Sequence, residues 1–225
     1  MTPRMCELRV FSRRHRFAGT LDVLGCWRGA GALIDYKTGV PADVATDLQT
    51  AAYLSALLEM GEHGDDASML VFDETLHRYT LDGEPLPSVT GILQRAGLVD
   101  FSQIPTFVLA AARERGTKVH RAIHFYNEDD LDVAGFRDLF PDYWPYVAAW
   151  IKFRLVSGFR LATAAELGDL SHIKRYSVRL KRDEAFVVEP YTNPGDYHEF
   201  LALLRAQRIV ERRKPASWDE YAEVA

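Results

Sequence analysis

Three short patterns in the first quarter of the chain carry residues suited to work on a phosphate ester. Gly19-Thr20-Leu21-Asp22 sets an acid in an apolar, β-prone run. Ile34-Asp35-Tyr36-Lys37-Thr38-Gly39 sets an acid and a lysine on either side of a tyrosine, at the end of a second such run. Gln49 and Tyr53 follow, four residues apart in a helical pattern. Side chains at i and i+2 of a strand share a face, so Asp35 and Lys37 point the same way, next to whatever Asp22 faces on the neighbouring strand. Two carboxylates and a lysine suit a hard divalent cation, with water and phosphate oxygens completing its shell. Such a cation polarises a phosphoryl group and lowers the pKa of bound water. The lysine would orient that water and offset phosphate charge. Gln49 and Tyr53, at i and i+4, share a helical face from which they would hold a nucleic-acid backbone or base. An isolated Asp-x-Lys is usually a surface pair, and an isolated Gln-x-x-x-Tyr says nothing. An acid inside Ala18-Gly19-Thr20-Leu21-Asp22-Val23-Leu24-Gly25 is less ordinary, because charge rarely sits in an apolar strand without a partner.

The elements that must position these residues are legible from periodicity. Alternation predicts strands over 7–12, 17–27 and 31–36, the last two joined by Arg28-Gly29-Ala30-Gly31. Apolar residues at i, i+4, i+7 predict a helix over 43–60, followed by a polar linker at 61–68. A hairpin over 69–87 turns at Asp82-Gly83, and Ser88 caps a short helix over 89–96. Helices are expected over 104–114, 117–127, 142–156 and 195–212, and further strands over 159–166, 174–180 and 185–190. The fold class is α/β, with a small mixed sheet flanked by helices.

The 225 residues, 48% hydrophobic and 26% charged, suit one soluble globular domain and exclude a disordered or collagenous chain. Cys6 and Cys26 are too few for a disulfide framework or a four-cysteine cluster. No apolar run reaches the about 18 residues of a membrane span, so no membrane partner is expected, and the sparse cysteines make a reducing cytoplasm the expected location. The formal charge of −5 argues mildly against nucleic acid until its distribution is read. Residues 1–60 hold 7 Lys+Arg and 6 Asp+Glu, residues 61–168 hold 10 and 16, and residues 169–225 hold 10 and 10. The surplus acid lies in the middle, much of it in Glu128-Asp129-Asp130-Leu131-Asp132, which reads as a solvated loop. Basic groups cluster at Arg13-Arg14-His15-Arg16 and along Arg205, Arg208, Arg212, Arg213 and Lys214. A net acidic protein can still present a basic groove.

The series Gly-x-x-Asp, Asp-x-Lys, Gln-x-x-x-Tyr resembles the PD-(D/E)XK nuclease superfamily, in its RecB-type and phage-exonuclease branch. That branch also bears Gly-x-x-x-His on a helix, matched here by Gly116-Thr117-Lys118-Val119-His120. The resemblance covers residues 7–60 and 69–213. It implies a restriction-endonuclease-like core and a Mg²⁺- or Mn²⁺-dependent deoxyribonuclease. The expected function is exonucleolytic hydrolysis of DNA phosphodiester bonds, in repair, recombination or phage replication. It further implies that Asp22, Asp35 and His120 hold the metal with help from the Tyr36 carbonyl. Lys37 would position the water, and Gln49 and Tyr53 would contact DNA. His124, one turn beyond His120, would lend outer support at most. The alternative is a non-catalytic nucleic-acid-binding module that keeps the nuclease fold.

The segment order departs from this family. There the histidine helix precedes the three strands; here it follows them. One domain is expected, assembled from a catalytic block at 7–60, a hairpin and helical block at 69–167 and a C-terminal block at 170–213, with the first two exchanged. Joining Ala165 to Glu7 and Asp65 to Leu170 would restore the family order. If the tight 167–170 junction cannot close within one chain, a homo-oligomer or segment-exchanged dimer is expected. Tyr143, Trp144, Tyr146 and Trp150 would either pack a core or stack single-stranded DNA; their 3–4 spacing favours the core.

Overall fold

The computed structural model describes residues 5–39, 43–63 and 70–212. The chain begins as an antiparallel meander of β1 (Cys6–Ser12), β2 (Phe17–Trp27) and β3 (Ala30–Lys37). Arg28 and Gly29 both have positive φ, 52° and 78°, which matches the right-handed twist of the strands they join. Helix α1 (Asp43–His63) then crosses one face of the sheet. It runs through the start of the expected linker, the remainder of which lies outside the described residues.

The middle block builds a second, three-stranded sheet from β4 (Leu70–Asp73), β5 (Arg78–Leu81) and β6 (Glu84–Leu86), with its tight turn at Asp82 and Gly83 as expected. Ser88 caps α2 (Val89–Arg95), its hydroxyl accepting the Gly91 amide at 3.0 Å. The two helices expected on either side of Gly116 are one, α3 (Thr106–Asn127). An added Cβ at Gly116 would meet nothing, so this glycine costs only its propensity, about 1 kcal/mol, too little to divide an amphipathic helix. A short α4 (Val133–Leu139), unforeseen in the sequence, precedes α5 (Trp144–Ser157). The strand expected at 159–166 shrinks to β7 (Arg160–Leu161), because Thr163 and Glu166 form a capping box that opens α6 (Ala164–Leu167). A 3₁₀ turn at Leu170–His172 follows, then β8 (Lys174–Leu180), β9 (Phe186–Tyr191) and α7 (Asp196–Arg212). Residues 167–170 run directly from α6 into the 3₁₀ turn.

The main sheet is mixed, in the order β1-β2-β3-β8-β9, with β7 on β2 beyond the end of β1. β8 lies parallel to β3, Asp35 beside Ser177 and Lys37 beside Arg179, and β9 returns antiparallel. Helices cover both faces. Val23, Ile34, Tyr36, Val119, Trp150 and Phe153 fill the side under α3 and α5. Leu21, Leu24, Leu33, Leu48, Tyr53 and Phe200 fill the side under α1, α2 and α7. Trp150 and Tyr146 are buried, so the aromatic run of α5 is core, as its spacing favoured. The first and last blocks supply five of the six strands of the main sheet, while the middle block supplies α3, which closes over it. Among the described residues no helix is long and apolar enough to cross a membrane.

Candidate metal centre

The site lies where the sheet forks. The β2–β3 ladder runs from Trp27 opposite Ala30 to Val23 opposite Ile34 and stops there. Beyond that point β2 stays with β1, pairing Leu21 with Leu8 and continuing to Phe17 with Ser12, while β3 stays with β8. In place of a backbone acceptor, the Tyr36 amide donates to Asp22 Oδ2 at 2.8 Å. Asp22 therefore stands in the mouth of the fork, and the register carried one residue further puts Asp35 opposite it.

At the same level β1 and β2 change phase. Leu8 and Val10 face the α1 side, and so does Leu21, whereas Cys6 and its partner Val23 face the α3 side. The change falls at Glu7, whose φ of 50° is left-handed, and at Asp22. A non-glycine residue held there costs of order 1–3 kcal/mol, and such positions gather at functional sites. The phase change turns Glu7 toward α3. Its Oε1 accepts the Tyr36 hydroxyl at 3.0 Å and lies 3.7 Å from His120 Nδ1. The same nitrogen is 3.6 Å from Asp22 Oδ1. Glu7, Asp22 and His120 thus offer one ligand atom each, all within 4.8 Å of one another. Opposite ligands of one ion lie about 4–5 Å apart and adjacent ones nearer 3 Å, so a single cation can reach all three.

The α1 side of the fork holds Asp35, Lys37, Gln49 and Tyr53. Lys37 Nζ donates to Asp35 Oδ1 at 3.0 Å and to Gln49 Oε1 at 3.4 Å. Gln49 Nε2 donates to Asp35 Oδ1 at 3.1 Å and to the Tyr53 hydroxyl at 3.0 Å. Asp35 Oδ2 is 2.8 Å from the lysine ammonium yet accepts no hydrogen bond. Gln49 and Tyr53 are buried, and their immediate contacts are with Asp35, Lys37 and the sheet. Gly19 explains the first member of the motif series. A Cβ there would stand 2.3 Å from Tyr53 Cε1, so the strand must be bare for the ring to reach its place.

Burial and mutual repulsion set the charge state of the cluster. Asp22 is pushed up from 3.8 to about 8, first by burial and then by Asp35 and Glu7, with His120 and Lys37 opposing. Burial alone would lower His120, but Asp22 and Glu7 outweigh it and hold its pKa above the ordinary value. Lys37 likewise rises, burial being outweighed by Asp35 and Asp22. The Tyr36 and Tyr53 hydroxyls are driven well up, mainly by burial. Three acids crowd one histidine and one lysine, and a divalent cation relieves that repulsion. One imidazole and two carboxylates fit such an ion, and the imidazole suits Mn²⁺ better than Mg²⁺.

The structure brings together the sequence-predicted Asp22 and His120, and separately Asp35, Lys37, Gln49 and Tyr53, with Tyr36 joining the halves through its amide. Glu7 escaped sequence reasoning. In an alternating strand a glutamate reads as a solvent-facing residue, and only the phase change turns it inward. A second group also escaped: Cys6, His124 and Glu128 offer ligand atoms within 4.8 Å of one another. Its signal was the spacing of His120, His124 and Glu128, which places all three along one side of α3. On α7, the Arg208 guanidinium donates to the His15 and Arg16 carbonyls, so the basic turn at 13–16 and the arginines of α7 share one surface. Burial lowers the His15 pKa, and the charges of Arg14, Arg205 and Arg208 lower it further against the pull of Glu59.

Comparisons of the chain with protein-family models, with curated proteins and with solved structures return no match.

Proposed function

We propose that this protein is a metal-dependent deoxyribonuclease of the PD-(D/E)XK type, built on a restriction-endonuclease-like core whose blocks occur in exchanged order. One observation carries the reading. His120, from a helix about a hundred residues later in the chain, meets Glu7 and Asp22 at the sheet fork whose other prong carries Asp35 and Lys37. A sheet that merely needed packing would not gather three acids, a histidine and a lysine there, since buried charge costs several kcal/mol per ion when uncompensated.

Glu7, Asp22 and His120 would hold Mg²⁺ or Mn²⁺, with Asp35 contributing from the other prong. When bound, the cation supplies Lewis-acid polarisation of the phosphoryl group and a more acidic water. The chain's own residues do the positioning. Gln49, fixed by Tyr53, holds Asp35 and Lys37 in register, and the Lys37 ammonium is the donor placed to orient an attacking water and offset charge on the phosphate. The surface shared by Arg16, Arg95 and Arg208 would attract the DNA backbone.

The test is incubation of labelled single- and double-stranded DNA with Mg²⁺ or Mn²⁺, using Lys37→Ala as the control. Cleavage is expected from the natural chain and its loss, by about 10²-fold or more, from the variant. Cleavage that survives Lys37→Ala overturns the assignment, and DNA binding without cleavage by the natural chain identifies a non-catalytic module instead.

A further inference from the structure

We infer that Cys6, His124 and Glu128 form a second metal site, built for a thiophilic divalent cation of the zinc class, which ties the end of α3 to β1. Cys6 is buried on β1, and His124 and Glu128 follow each other by one helical turn at the end of α3. Cys6 Sγ lies 3.4 Å from His124 Nδ1 and 3.1 Å from Glu128 Oε1. In a tetrahedral zinc centre, with Zn–S about 2.3 Å and Zn–N about 2.0 Å, the sulfur–nitrogen edge is about 3.5 Å. The observed spacing is therefore already that of two ligands on one ion.

The donor set selects the metal. A thiolate is a poor ligand for Mg²⁺, whereas zinc-class cations accept sulfur, nitrogen and oxygen together. A thiolate and a carboxylate carry two negative charges, which balance a divalent ion beside a neutral imidazole. Glu128 is exposed, so a fourth position opens to water. The arrangement differs from a nucleophilic triad. There the carboxylate orients the imidazole, and the imidazole alone faces the sulfur. Here the Cys6 thiol donates to the carboxylate and also meets the imidazole, so that all three ligand atoms lie within 4.8 Å of one another and can face one ion.

The site is separate from the one at the fork, yet mechanically joined to it. Cys6 precedes Glu7 on β1, and His124 stands one turn beyond His120 on α3. The two pairs form successive rungs between the same strand and helix, so an ion on the outer rung fixes the spacing on which the inner one depends.

Cobalt titration of the metal-stripped full chain tests this. The Cys6 thiolate should give a sulfur-to-cobalt charge-transfer band in the near ultraviolet, saturating at one equivalent and bleached by Zn²⁺. The band should disappear in Cys6→Ser and His124→Ala and persist in Cys26→Ser and in Asp22→Asn. Zn²⁺ should raise the melting temperature of Asp22→Asn but not of Asp22→Asn combined with Cys6→Ser. Absence of the band in the folded natural chain, its persistence in Cys6→Ser, or its loss in Cys26→Ser would overturn the inference. Should Cys6→Ser fail to fold by circular dichroism, His124→Ala decides: an unchanged tetrahedral cobalt spectrum in that variant also overturns it.

Discussion

Replacing Asp22 by asparagine should stabilise the metal-free protein at neutral and alkaline pH while removing most of its response to Mn²⁺. Burial and neighbouring acids raise the Asp22 pKa from 3.8 to about 8. Below pH 3.8 both folded and unfolded chains hold this proton, and stability is unaffected. Between 3.8 and 8 the folded state binds a proton that the unfolded state has released, so stability falls as pH rises across that window. At pH 7 this sets a ceiling of about 4 kcal/mol, at about 1.4 kcal/mol per pH unit. The histidine contribution has the same slope, for the raised pKa of His120 gives stability present below 6.5 and lost as pH climbs through its folded value. Asparagine keeps an oxygen for the Tyr36 amide but forfeits the charge facing His120. The expected net gain is therefore about 1–2 kcal/mol, or roughly 2–8 °C in a chain of this size. Thermal melts in chelator from pH 5 to 9 measure it. The natural chain should lose stability steadily over that range, and Asp22→Asn should flatten the curve. Added Mn²⁺ should raise the melting temperature of the natural chain far more than that of the variant. A variant that melts several degrees below the natural chain at pH 8 in chelator would show that Asp22 is a structural acid and refute the reasoning.

Gly19→Ala should cost about 1–3 kcal/mol in urea unfolding, because its Cβ displaces the Tyr53 ring, and should slow cleavage though no ligand is touched. Glu7→Gln should weaken metal binding and lower the His120 pKa, since the Glu7 carboxylate helps to raise it; an NMR titration of the ring protons reads that shift. Arg175→Met should destabilise by about 3–5 kcal/mol, because Asp196, bonded to Arg175 Nη2 at 2.6 Å and buried, is left uncompensated. Adding Asp196→Asn to that variant should restore part of the loss in the same denaturation assay.

Local pattern made the meander, α1 and the β8–β9 pair readable, because each carries its own alternation or helical period. Pairing between distant strands leaves no such trace. Nothing in Lys174–Leu180 announces a parallel partner in β3, and that pairing is what carries β3 on past the point where it leaves β2. The same limit hid Glu7. A single left-handed residue reverses the in-and-out pattern of a strand, and a sequence read on strict alternation sends its side chain to the wrong side. Cys6 was judged by cysteine count, whereas its partners are a histidine and a glutamate more than a hundred positions away. Asp22, Asp35 and Lys37 are legible because charge in apolar runs, and a lysine two places from an acid, are chemically conspicuous without any knowledge of pairing, whereas His120 is marked only by the Gly-x-x-x-His resemblance.

The order of the blocks also has a consequence for the chain as it is made. Glu7, Asp22 and Asp35 leave the ribosome before the histidine, on a meander whose β3 edge stays unpaired until β8 has followed α3 and α5. The histidine arrives in between, on α3. Contacts of such long sequence separation form slowly, and an open apolar strand edge is meanwhile a hazard for association. The growing chain therefore carries a bare cluster of mutually repelling acids until α3 brings the histidine to it. A chain with the blocks in the opposite order would make the histidine first and close the site as soon as its strands appeared. In the present order, a chain cut short before α3 holds the acids without the histidine, a cluster of repelling charge that no imidazole offsets.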